Sequence, residues 1–232
     1  ANIKIHEQLL VLQPRDIFDE GMWTTQTEFD AYLKRFANLF NVEKPIELFV
    51  VPGNHDIGFH YRMSPNLEHR FSTAFKSRPV SFVSRRNVHF VLINSMAMEG
   101  DGCSICQRAE KTLKTVADHH LDLRLYSSFV FHALIFFGKH FPMYRESDES
   151  CQEIDSAPPV LKNENSENVG NLIEMLRPRV ILTGHTHHGC YRFYPESKIH
   201  EYTVPSFSWR NKNNPTFMLY LFLDAVNFKH ML

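Results

Sequence analysis

At 232 residues the chain is long enough for one layered core, and 43% hydrophobic against 22% charged residues is an ordinary globular balance. A formal net charge of −1 argues against a nucleic-acid partner. Fourteen histidines are many for this length, and twenty phenylalanines give core mass that favours sheets over helices.

Residues 1–6 hold no apolar run flanked by basic residues, so no signal peptide is visible, and the start without Met reads as a portion of something longer. Thr24 or Thr25 caps a helix to about Phe40, with Phe29, Leu33, Phe36 and Phe40 at helical spacing. The apolar run 46–51 reads as a buried strand leading into Gly53-Asn54-His55-Asp56. Ser64-Pro65 opens a second helix with Pro in its first position and Leu67, Phe71 and Phe75 on one face. Phe82 and 88–93 read as the strands of a hairpin, and 106–120 as a helix. The most apolar stretch, 126–137, is about 12 residues interrupted by Ser127, Ser128 and His132. A bilayer span wants about 20, so 129–137 is expected to be a buried strand ending at Gly138-Lys139-His140.

The polar stretch 146–165 is the one long loop, and loops of that length usually carry function or move. Residues 168–176 read as a helix stopped by Pro178, and 180–182, 190–194, 201–204 and 217–223 as strands. The first of these strands leads into Gly184-His185-Thr186-His187. Helices early and mixed strands late predict an α/β fold: a sandwich of two mixed β-sheets flanked by helices, one domain over 1–232, with its functional loops at one sheet edge.

Four cysteines remain: the C-x-x-C pair Cys103 and Cys106, and the single Cys151 and Cys190. A structural zinc site wants a second pair. A thioredoxin-like dithiol wants a helix start after a strand, whereas this pair follows the turn-forming Gly100-Asp101-Gly102. Free thiols in a reducing compartment and disulfides in an oxidising one both fit an even count.

The chemistry concentrates in the two strings Gly53-Asn54-His55-Asp56 and Gly184-His185-Thr186-His187. Imidazole nitrogens, an amide oxygen and nearby carboxylates suit a pair of divalent metals. Two metals about 3.5–4 Å apart neutralise phosphoryl oxygens and activate water, and an unligated acid protonates the leaving alkoxide. Together the strings resemble the calcineurin-type metallophosphoesterase signature. The resemblance implies that Asp16, bridging, together with Asp19, Asn54, His140, His185 and His187 hold the metals. It further implies that His55 meets the phosphate and protonates the leaving group, helped by Asp56. Asp16 and Asp19 taken alone also read as a solvated turn. The other histidines, His60 among them, carry no pattern that assigns a role.

Further strings match one branch of that superfamily. They are Asp16-Ile17-Phe18-Asp19-Glu20-Gly21, Gly53 through Phe59, Asn94-Ser95, Gly100-Asp101-Gly102-Cys103, His140-Phe141-Pro142-Met143-Tyr144-Arg145, and the run 204–215. The branch resembled trims an ethanolamine-phosphate side group from GPI-anchor glycans. It implies manganese as the metal, a GPI glycolipid or GPI-anchored protein as substrate, and an ER–Golgi location with the catalytic domain in the lumen. It also implies membrane attachment through segments absent from this chain. Lumenal placement further implies that one or both of Cys103 and Cys106 are disulfide-bonded, Cys151 being a candidate partner. In the last string, Trp209, Arg210, Asn211 and Asn213 are candidate substrate contacts: indole on sugar C–H groups, amides on hydroxyls, guanidinium on a second phosphate. Equally, Trp209 can plug the core and the asparagines can form a plain turn.

Three departures stand out. Residues 1–14 hold no Asp-x-His metal motif; Arg15 replaces the glycine before Asp16, with no apolar strand expected ahead of it; and both membrane spans are missing. The chain therefore reads as an N-terminally incomplete form. Two other functions stay open: a di-metal phosphoesterase for phosphoproteins or cyclic nucleotides, and a metal-poor scaffold without activity.

Overall fold

The computed structural model describes residues 10–13, 16–44, 46–85, 88–98, 102–126, 134–139, 172–208, 210, 211, 213, 214, 218–224 and 227–231. Strand β1 (Leu10–Gln13) pairs in parallel with β2 (Glu47–Val50), and helix α1 (Gln26–Leu39) lies between them in sequence. The apolar strand expected to be missing before Asp16 is thus present. Four residues suffice because β2 supplies the partner that local propensity does not. Thr25 starts α1 through a capping box: its hydroxyl accepts from the Glu28 N–H, while the Glu28 carboxylate accepts from the Thr25 N–H. The single turn α2 (Asn54–Ile57) follows β2, and α3 (Pro65–Phe75) starts on the Ser64 cap with Pro in its first position.

A separate, six-stranded main sheet holds β3 (Val80–Arg85), β4 (Val88–Ile93), β5 (Leu134–Lys139), β6 (Val180–Thr183), β7 (Cys190–Tyr194) and β8 (Ile199–Thr203). Their spatial order is β3-β4-β5-β6-β8-β7. The four central strands are parallel, and β3 and β7 close the edges antiparallel. Parallel strands covered on both faces need continuous apolar runs, which β4 and β6 supply. Helix α4 (Ser104–Tyr126) crosses from β4 to β5, and β9 (Leu219–Asp224) pairs with β10 (Asn227–Met231) in a hairpin.

Alternation along the strands divides the core. Val91, Ile93, Ile181 and Ile199 face Ile105, Ala109, Leu113 and Ala117 of α4, together with Leu172 and Leu176 of a short helix over 172–176. Phe90, Leu92, Val180 and Leu182 pack with Val51 at the end of β2. A third cluster joins Phe29, Phe36 and Phe71 of α1 and α3 to Ile57 of α2 and to Phe18 and Met96, which follow β1 and β4. These apolar clusters hold the loops after β1, β2 and β4 against the helices.

Helix α4 runs from 104 to 126, beyond the expected 106–120, and the strand expected over 129–137 is described from Leu134 to Lys139. The hairpin strand β10 was not anticipated. The loop 146–165 lies outside the described residues. Among the described residues, no helix is long and apolar enough to cross a membrane.

Candidate metal centre

Three loops build the site: the one after β1 carrying Asp16 and Asp19, the one after β2 carrying 53–56, and the one after β6 carrying His185 and His187. Asp56 clasps the first two. Its buried carboxylate accepts the N–H groups of Phe18 at 2.8 Å, Ile17 at 3.0 Å and Gly53 at 2.9 Å. Burial pushes the Asp56 carboxyl well above the usual carboxylate range, and the negative charge of Asp16 pushes the same way, against the three N–H groups. The Asp56 carboxylate therefore serves the backbone of the two loops.

Asp16 sits on the other side of this clasp. Its Oδ1 accepts the His55 N–H at 2.8 Å. Gly53 is needed here because a Cβ would run into the Asp16 carboxylate, with Cγ only 2.7 Å away and the Asp16 backbone N at 2.8 Å. Asn54, buried at the start of α2, meets the third loop: its Oδ1 lies 3.1 Å from His185 Nδ1, across 131 residues of sequence. His185 reaches it from a left-handed backbone, φ 65°, an uncommon conformation for a non-glycine residue. The Ser206 N–H donates to the His187 carbonyl at 3.1 Å, which ties this loop to the segment after β8.

His55 is half-exposed at the mouth. Its Nδ1–H donates to the Asp19 carbonyl at 2.7 Å, since a carbonyl can only accept, and this fixes Nε2 as the nitrogen that exchanges a proton. The Asp19 carboxylate is itself ion-paired with Arg210, so the structure joins an expected metal ligand to an expected substrate contact. A cleft of about 350 Å³ opens beside Asp19, Glu20 and Arg210 and continues past Arg35 and Leu39. Asn211 donates from Nδ2 to Ser206 Oγ at 3.2 Å within a turn, and Asn213 is exposed. His140 and Trp209 lie outside the described residues.

Sequence reasoning overlooked Trp23. Its indole is 61% exposed and stands edge-on to the His55 ring, 6.3 Å between centroids. The turn that carries it is held by Arg70, which donates to the Gly21 carbonyl at 2.6 Å and the Thr24 carbonyl at 2.9 Å. An aromatic two residues past an acidic Asp-Glu-Gly turn was the available signal.

The donor chemistry fits divalent metal. An amide oxygen and an imidazole nitrogen approach to 3.1 Å, and a carboxylate lies against the same turn in space that only a glycine leaves open. Among the described residues, the three His, Cys, Asp or Glu side chains that bring ligand atoms within 4.8 Å of one another are His60, Cys103 and Cys106, rather than any three of Asp16, Asp19, His185 and His187. Cys103 and Cys106 are joined in a disulfide, Cα–Cα 4.9 Å, and Cys190 is also disulfide-bonded.

The family model of calcineurin-like phosphoesterases matches residues 3–189. Metallophosphoesterase 1 of Rattus norvegicus is 39% identical over 91% of this chain and 59% of its own length. The Metallophosphoesterase 1 homolog of Drosophila melanogaster is 39% identical over 88% of this chain and 58% of its own. The chain thus spans a little under three-fifths of the length of these relatives. Among solved structures, a dimetal phosphatase from Danio rerio shares the fold at TM-score 0.50 and 18% identity, over 84% of this chain and 72% of that one. GAP50, the anchor in the inner membrane complex of Plasmodium, does so at 0.52 and 11%, over 85% and 61%.

Proposed function

Because the chain belongs to the calcineurin-like phosphoesterase family, we propose that it is a metal-dependent phosphodiesterase that removes ethanolamine phosphate from a GPI-anchor glycan. The observation that carries the metal-dependent reading is the meeting of Asn54 and His185 beside the Asp16 carboxylate. Asp16, Asn54 and His185 are the residues that would hold divalent ions, with His187 on the same loop and His140 and Asp19 as further candidates. When bound, such ions supply Lewis-acid charge to the phosphoryl group and to the attacking water.

The chain's own residues do the rest. His55 holds its exchangeable proton at Nε2, aimed by the Nδ1–H bond to the Asp19 carbonyl, and delivers it to the leaving alkoxide. Asp56 fixes the backbone that presents both Asp16 and His55. Arg210, paired with Asp19, and Arg35 line the cleft and offer guanidinium groups to a phosphate.

The glycan assignment and manganese rest on the strings matched to the GPI-remodelling branch, above all 204–215. Location in the ER–Golgi lumen, with membrane attachment outside this chain, rests on the same strings and is supported by the disulfides. The test is metal analysis of the purified protein followed by hydrolysis of a phosphoethanolamine-bearing glycan. Two ions per chain and glycan turnover are expected. Turnover of a simple diester without the glycan would leave a phosphodiesterase of another substrate, and absence of metal would leave a scaffold.

A further inference from the structure

The pair Cys103 and Cys106 stands where the sequence did not place it. Gly102, just ahead of α4, takes a left-handed φ of 75°. Cys103 precedes the first helical residue, Ser104, and Cys106 lies in the first turn of this 23-residue helix. The Cys106 N–H donates to Cys103 Sγ at 3.0 Å, so a sulfur fills the position that a capping oxygen usually takes. The two residues differ in exposure: Cys103 is half-buried and Cys106 fully buried. His60 approaches the buried sulfur, its Nδ1 lying 3.9 Å from Cys106 Sγ while it also donates to the Met96 carbonyl at 2.8 Å.

A bridge across three residues closes a very short loop, and so removes little entropy from the unfolded chain compared with a long-range bridge. The same short spacing at a helix N-terminus lowers the thiol pKa and eases exchange. We propose that Cys103–Cys106 is a thiol–disulfide exchange site that takes two electrons from a dithiol, with Cys103 as the sulfur attacked.

The steps balance. One thiolate of the donor attacks Cys103 Sγ, the S–S bond breaks, and Cys106 leaves as a thiolate beside the His60 ring. The donor's second thiol then gives its proton to Cys106 and its sulfur displaces Cys103. The donor ends as a disulfide, Cys106 as a thiol, and Cys103 as a thiolate held by the Cys106 N–H and the α4 terminus.

The experiment treats the folded protein with dithiothreitol at pH 7, quenches by alkylation and locates the labelled cysteines by peptide mass spectrometry. Circular dichroism confirms that the fold is kept. Reduction of Cys103–Cys106 at least tenfold faster than of the Cys190 bridge is expected. With glutathione disulfide, Cys106→Ser should trap glutathione on Cys103, whereas Cys103→Ser should leave Cys106 unmodified until denaturant is added. Reduction no faster than that of the Cys190 bridge would overturn the proposal. So would a Cys103 thiol in Cys106→Ser whose alkylation follows an ordinary thiol, half-maximal near about pH 8.5. If Cys106→Ser does not fold, the wild-type rate comparison decides alone.

Discussion

His55 and Asp56 are neighbours in sequence with opposite duties. The His55 ring faces the mouth, with Nδ1 committed to the Asp19 carbonyl, while the Asp56 carboxylate turns inward onto three N–H groups. His55→Ala should therefore leave metal content and melting temperature unchanged and slow turnover of an alkyl phosphodiester by about 10²–10⁴-fold. A p-nitrophenyl diester, whose leaving group needs no proton, should lose far less. Asp56→Ala should fail differently. Stranding buried N–H groups costs on the order of 1–3 kcal/mol each, so the loops should part and metal and stability should fall together. Parallel metal analysis and thermal melts of the two variants check this. Retained metal in Asp56→Ala would put the carboxylate at the reacting atoms instead.

Elements with a strong local signal were legible in the sequence. Thr25, and Ser64 with Pro65, mark α1 and α3 because capping is decided by residues within one turn of the helix start. The hairpin β3–β4 and strand β7 declare themselves by apolar pattern. What stayed hidden depends on partners far along the chain. Strand β1 exists through pairing with β2, and β10 through pairing with β9. The site divides the same way: the two histidine strings could be read, but the turn of Asp56 away from the mouth and the Arg210–Asp19 pair are tertiary facts. Gly53 links both levels, since its missing Cβ lets the loops after β1 and β2 touch. Gly53→Ala should reduce metal content and turnover and destabilise the fold by about 1–3 kcal/mol, seen in denaturant melts. The end of β3 is fixed to the start of β2 by Arg85, which donates to Glu47 at 2.5 and 2.7 Å. Hydrogen bonding from Arg85 holds the Glu47 carboxyl below its ordinary range. A lowered folded pKa gives stability that is present at neutral pH and lost as pH falls through that lowered value. This pair is largely solvent-exposed, so Glu47→Gln should cost under about 1 kcal/mol at pH 7. The difference from wild type should vanish in melts at strongly acidic pH.

For the whole molecule, the metal centre is where segments far apart in sequence must be held together: Asn54 and His185 are 131 residues apart and sit on loops from different sheets. Without a cation, Asp16 and Asp56 place two carboxylates side by side, and burial already disfavours charge on Asp56. A divalent ion at Asp16, Asn54 and His185 would offset that repulsion and tie β1, β2 and β6 at one point, so binding should stabilise the folded chain selectively. At a free metal concentration about 100 times Kd, linkage gives about 2.7 kcal/mol. For a chain of this size that is a melting-temperature rise of about 5–10 °C. Chelation should reverse the rise. His185→Ala should sharply reduce it, because the loop after β6 then keeps only His187 as a candidate ligand, while Arg210→Ala should keep it, because Arg210 pairs with the Asp19 carboxylate and not with Asp16, Asn54 or His185. Calorimetric melts across a manganese titration measure all three proteins alike. A wild-type melting temperature indifferent to metal would mean that these loops are joined by the Asp56 clasp and the Asn54–His185 hydrogen bond without an ion, and the metal-dependent reading of the site would fall with it.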